Sequence, residues 1–127
     1  MNLIFSRRLA IAIGAALLLG ETLRLWSGGD IAWGQDHYLM AAVLLFGAWK
    51  SHRNDIFGPR YLLAAWAFTC GVEYMNLVKH FEDIHSSSPS VIPTVWEGII
   101  GFGYLLCLLG LATSLKAQQA AGGAGTR

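Results

Sequence analysis

RYLLAAWAFTCGVEYMNLVKH, residues Arg60 to His80, decides how the rest of the chain is read. The run is apolar enough to sit in a bilayer, yet Thr69, Glu73, Asn76 and His80 recur within it at spacings of four, three and four. At 100° per residue those positions fall within an arc of roughly 60°, a narrow polar seam on an apolar rod. A seam of this kind cannot face lipid. An ionisable residue inside a membrane segment is costly, so it faces the interior of a helix assembly or a wet cavity and calls for a partner. At a rise of 1.5 Å per residue, Glu73 lies about 20 Å from Arg60 and about 9 Å from Lys79, nearer the far end of the helix.

Composition agrees with a membrane setting. Of 127 residues, 54% are hydrophobic and 13% charged, against about 25% charged in a typical soluble domain, and the mean hydropathy is +0.47. Apolar runs near 9–26, 37–49, 61–78 and 91–115 predict an all-α, four-span transmembrane helix bundle. The spans are expected at about 7–27, 33–50, 60–79 and 93–115, within one membrane domain over 1–117, followed by a flexible tail over 118–127. No stretch remains for a soluble catalytic domain. A formal net charge of +1 excludes attraction of nucleic acid through an overall basic field.

Charge is distributed asymmetrically. Arg7, Arg8, Lys50, Arg53, Arg60, Lys116 and Arg127 fall in the N-terminal segment, the second connection and the tail, while Arg24 and Lys79 lie near the other two connections. The positive-inside rule then places both termini in the cytoplasm. Asp30, Asp36, Glu82, Asp83 and the SSSPS segment fall outside. The location implied is a cytoplasmic membrane, a bacterial inner membrane, with the lipid bilayer as first partner and a homo-oligomer or larger membrane complex as a further one.

The opening MNLIFSRRLAIAIGAALLLG resembles a secretory leader, with a twin-arginine-like SRRL. No A-x-A-like site follows the run, which continues through Trp26, so an uncleaved first helix is expected. The second helix is the shortest. His37 to Trp49 spans about 20 Å, which requires extension through 31–35, local thinning or burial by its neighbours. Asp36 suits its first turn, and Pro59 and Pro93 mark the starts of helices three and four. Gly71, Gly98, Gly101, Gly103 and Gly110 are read as sites of close helix approach. Cys70 and Cys107, mid-run, are read as small packing residues.

Threading this topology gathers Glu21, Arg24, Asp36, His37, Glu73, Asn76, His80 and Glu97 on the outer side, and Tyr104 shares a face with Glu97 and Gly101. Glu21 and Arg24, three apart, can pair on one helix face, or Glu21 can turn inward to meet the seam. The expectation is an outward-open pocket, closed below by Leu, Ala, Phe and Trp66. Three membrane carboxylates against one arginine cannot all ionise comfortably, so the expectation is that at least one keeps its proton, or that a cation or a protonated histidine balances it.

Four functions compete in this order. In the first, the polar groups satisfy one another in an accessory or structural subunit. In the second, the cluster binds a small ligand, proton or cation. The third is a metal or haem redox site using His37 and His80, or a metal held by His80, Glu82, Asp83 and His85, four donors within six residues that suit zinc or another divalent ion. The last is a membrane enzyme using carboxylate acid/base chemistry, which no nucleophile, phosphate loop or H-E-x-x-H motif supports. No motif names a cofactor.

Overall fold

A computed structural model describes residues 2–29, 35–53, 57–86 and 93–123, with side chains over 3–29, 35–53, 57–82 and 98–120. The chain is all-α, with α1 at Asn2–Trp26, α2 at Gln35–His52, α3 at Gly58–Ser86 and α4 at Pro93–Gly123. Each helix packs on its neighbour in sequence, and α4 closes the ring against α1. Across the diagonal, α1 and α3 barely touch. Two helices, α1 and α4, are long and apolar enough to cross a membrane.

Local sequence sets most of the ends. After Trp26 the α1 carbonyls are capped by the amides of Ser27, Gly28 and Gly29, at 3.0–3.1 Å from Leu23, Leu25 and Arg24. Gly28 takes φ +90° there, a left-handed conformation that glycine adopts without steric cost. Asp36 lies in the first turn of α2 and Lys50 and His52 in its last, each sign matching the dipole at its end. Pro59 and Pro93 sit in the first turns of α3 and α4, where the missing N–H leaves no bond unmade.

Three boundaries differ from the sequence reading. Helix α2 begins at Gln35 and gains length at its other end, through His52, giving 18 residues or about 27 Å. Helix α3 runs past His80 to Ser86, so the expected outer loop starts later. Helix α4 continues to Gly123, which makes residues 118–123 helical where a tail was expected. Alanine and glutamine, good helix formers, dominate that extension and outweigh its lack of apolar pattern. Trp33, Asn54, Asp55 and the serine/proline run over 87–90 lie outside the described residues.

Gly14, Gly47, Gly58 and Gly110 make close approaches between helices; a Cβ on Gly58 would stand 2.7 Å from the Lys50 carbonyl. A Cβ on Gly14 would stand 3.0 Å from Leu45 Cγ, and one on Gly47 would stand 2.9 Å from Ala65 Cβ and 3.1 Å from the Tyr61 carbonyl. One on Gly110 would collide with the Trp66 indole. A Cβ on Gly71, Gly98, Gly101 or Gly103, all read from sequence as packing sites, would meet nothing within 4 Å among the described residues. Spacing alone cannot tell which face of a nearly uniform apolar helix turns inward.

The interior carries the polar groups and the exterior the apolar ones. Ser6, Ser51, Thr69, Ser114, Glu21 and Glu73 are buried, whereas Leu19, Leu23, Trp26, Phe46, Phe68, Phe102 and Leu105 are exposed. Between them lies an apolar core of Ala10, Leu44, Ala48, Leu62, Ala65, Trp66, Cys70 and Cys107. Both cysteines are free.

Ser6 ties three helices together. Its Oγ lies 2.6 Å from Ser114 Oγ and 3.2 Å from the Gly110 carbonyl, and Trp66 Nε1 donates to it at 2.9 Å. A serine hydroxyl offers one proton and two lone pairs. The assignment that satisfies every group has Ser6 donate to Gly110 and accept from Trp66 and Ser114.

Candidate functional site

The ring brings the end of α1, the start of α2, the C-terminal half of α3 and the early part of α4 around one cleft of about 1230 Å³. Its polar lining includes Glu21, Arg24, His37, Glu73, Asn76 and His80, six of the residues selected from sequence. Asp36 and Glu82, also singled out in the sequence, line it too, together with Gln35 and Lys79, and Leu17, Leu39, Ile99, Ile100 and Gly103 form the apolar wall. The volume exceeds the roughly 300–1,000 Å³ of common small-molecule sites.

Glu21 is the best-held acid. Its Oε2 accepts from Arg24 Nε at 2.7 Å, an i,i+3 pair on one helix face. Its Oε1 lies 2.7 Å from His37 Nδ1. That second contact has the distance of an ion pair without the alignment of a hydrogen bond, so His37 Nδ1 counts as buried and unbonded. Glu21 therefore does both things its sequence position allowed: it pairs within α1 and faces the cleft.

Glu73 differs. It is 9% exposed and lines the cleft, with His37 and Asp36 as its electrostatic neighbours. Among the described residues no hydrogen bond or ion pair reaches its carboxylate. One turn or two along the same face, Asn76 and His80 complete the polar side, and His80 Nε2 is likewise buried with no partner among the described residues. Two converging groups with unused hydrogen-bonding capacity mark a surface prepared for something else.

Other expected members fall elsewhere. Thr69 is fully buried beneath the cleft and donates its Oγ1–H to the Ala65 carbonyl at 2.8 Å, within its own helix. Tyr104 packs on Tyr74, ring centroids 6.3 Å apart, and against the core. Glu97 lies on α4 ahead of the cleft wall, with its side chain outside the described residues.

The loop expected to hold a metal is helix. At 100° per residue, positions 80 and 83 share one face of that helix and positions 82 and 85 another. Among the described residues no group of three histidine, cysteine or acidic side chains could hold a metal ion. The side chains of Asp83 and His85 are outside that description. Compared with known families, curated proteins and solved structures, the chain matches none.

Sequence reasoning passed over the Ser6 knot and the wall residues Ile99 and Ile100. A single serine in an apolar run carries no periodic signal, and apolar wall positions look like any lipid-facing ones. Lys79 was read only as an end marker, although its position one residue before His80 placed it beside the seam.

Proposed function

We propose that this chain is a small multi-pass membrane protein whose outer cleft binds a small amphiphilic organic cation, with Glu73 as its counter-ion. In this reading all four helices cross a cytoplasmic membrane, a bacterial inner membrane, with both termini in the cytoplasm and the Glu21 end outside. Support for the membrane setting comes from the exposed leucine, phenylalanine and tryptophan surface surrounding buried Ser6, Thr69, Glu21 and Glu73. Water would reject that exterior. Lipid accepts it and drives the polar groups inward.

The observation that carries the ligand is Glu73, nearly buried and unpaired in a cleft with an apolar wall. In an accessory subunit held by self-satisfied polar pairs, Arg24 or His80 would meet this carboxylate. Arg24 instead pairs with Glu21. A carboxylate with no hydrogen bond or ion pair at that depth, His37 being only an electrostatic neighbour, is costly, and a cationic ligand relieves that cost while Leu39, Ile99 and Ile100 take its apolar part. The cleft is far larger than a bare ion needs, which favours an organic cation over a metal or proton.

The accessory reading keeps one observation of its own: the open glycines Gly71, Gly98 and Gly101, with room for another helix. Affinity purification in mild detergent separates the two. A stoichiometric protein partner lost on Gly98→Leu favours the subunit.

The ligand reading is tested by titrating a series of alkylammonium chlorides into the purified full chain and following thermal unfolding. Saturation at a hundred times Kd stabilises a folded state by about 2.7 kcal/mol. The wild type should respond and Glu73→Gln should not. An equal response in Glu73→Gln, or none in the wild type, contradicts the reading.

A further inference from the structure

A second cleft, of about 410 Å³, opens at the opposite end of the molecule, where the start of α1 passes the end of α2. Arg7, Arg8 and His52 border it, and Ile11, Leu45 and Trp49 line its apolar side. Among the described residues no acidic side chain contributes to the lining. Among the described residues Arg7, Arg8 and His52 make no hydrogen bond or ion pair. Trp49 is exposed and already carries cations on its ring, with Lys50 Nζ at 5.4 Å and the Arg53 guanidinium at 5.1 Å from the centroid.

This combination has a direction. Cations gather at the end of the cleft nearest the chain terminus and the α2–α3 connection, and apolar side chains run from there toward mid-helix. An occupant must be anionic at one end and hydrocarbon at the other. We infer that the cleft between α1 and α2 holds an acidic glycerophospholipid, its phosphate between Arg7, Arg8 and His52 and one acyl chain along Ile11 and Leu45. The inference rests on the membrane reading above and is independent of the outer cleft.

Charge complementarity commits the site to an anion, and the apolar slot commits it to lipid over free phosphate. Basic pockets between helices on the cytoplasmic side are suited to such headgroups. In the sequence Arg7 and Arg8 read as topology markers and as the basic start of a leader-like segment. Their convergence with His52, 44 residues from Arg8 in the chain, is a property of the fold.

The test uses the full chain purified in mild detergent and examined by native mass spectrometry with added phosphatidylglycerol, phosphatidylcholine or inorganic phosphate. Phosphatidylglycerol should remain bound where phosphatidylcholine is lost. Replacing both arginines (Arg7→Gln with Arg8→Gln) should weaken its retention by roughly 30-fold. Ile11→Trp, which alters no charge and narrows the slot from an exposed position, should weaken it as well and guards against misfolding of the double variant. Equal retention of the two lipids, retention unchanged in these variants, or displacement of the lipid by inorganic phosphate would each overturn the inference. Extraction of native membranes with alkaline carbonate keeps the two readings apart. Protein released to the supernatant defeats the membrane reading, while protein retained in the membrane without lipid selectivity defeats the lipid site alone.

Discussion

Ser6 holds one hydroxyl between three helices, and its removal separates two kinds of loss. Ser6→Ala strips the Trp66 N–H of its acceptor in a fully buried place, whereas Ser114→Ala removes one donor from an oxygen that keeps its other contacts. A buried group left unsatisfied costs about 1–3 kcal/mol. Thermal unfolding in detergent should therefore show Ser6→Ala destabilised by about that much and Ser114→Ala by less. Reversed order would mean that the proton assignment is wrong. Glu73 offers the opposite sign. Because its carboxylate lacks a direct partner, Glu73→Leu should stabilise the unliganded protein by about 1 kcal/mol while abolishing cation binding, and Glu82→Leu, at an exposed position, should leave stability unchanged. Loss of stability in Glu73→Leu would show a structural partner and favour the accessory reading. Spacing along the chain made Glu73, Asn76 and His80 legible as one face. It did not reveal that Thr69, on the same arc, satisfies itself on Ala65, because a hydroxyl can bond its own helix and a carboxylate at that depth cannot.

Among the helices, the distinction lies in which glycines touch something. Gly110→Ala drives a methyl group into an indole that is fully buried and hydrogen-bonded, and overpacking of that kind costs typically about 1–3 kcal/mol. Gly71→Ala meets open space and removes a flexible residue from a helix, a gain of up to about 1 kcal/mol. Circular dichroism melts of the two variants should move in opposite directions. A melt of Gly110→Ala equal to that of the wild type would mean the α3–α4 contact is looser than described. The number and order of helices could be read from four apolar runs and from Pro59 and Pro93. Their inward faces could not, since α1 and α4 are apolar all round and lipid imposes no amphipathic pattern. The far ends of α3 and α4 escaped for a related reason. Hydropathy reports where a helix leaves an apolar solvent, and the helix itself stops only where caps or breakers act.

At the scale of the whole molecule, the two clefts lie at opposite ends of the ring, separated by the core around Trp66, Leu44 and Leu62. One is lined by acids, histidines and two cations, and the other by two arginines, a histidine and apolar side chains, with no acid among the described residues. This is the charge asymmetry of the sequence expressed as shape, and it makes sidedness the property on which the account depends. Cysteine accessibility reads it directly. In a chain with Cys70→Ala and Cys107→Ala, single substitutions Asn76→Cys and His52→Cys are exposed in intact cells to a membrane-impermeant thiol reagent. The account predicts labelling of Asn76→Cys from outside and labelling of His52→Cys only after the cells are permeabilised. Labelling of both positions from the same side, or of neither in permeabilised cells, would contradict it.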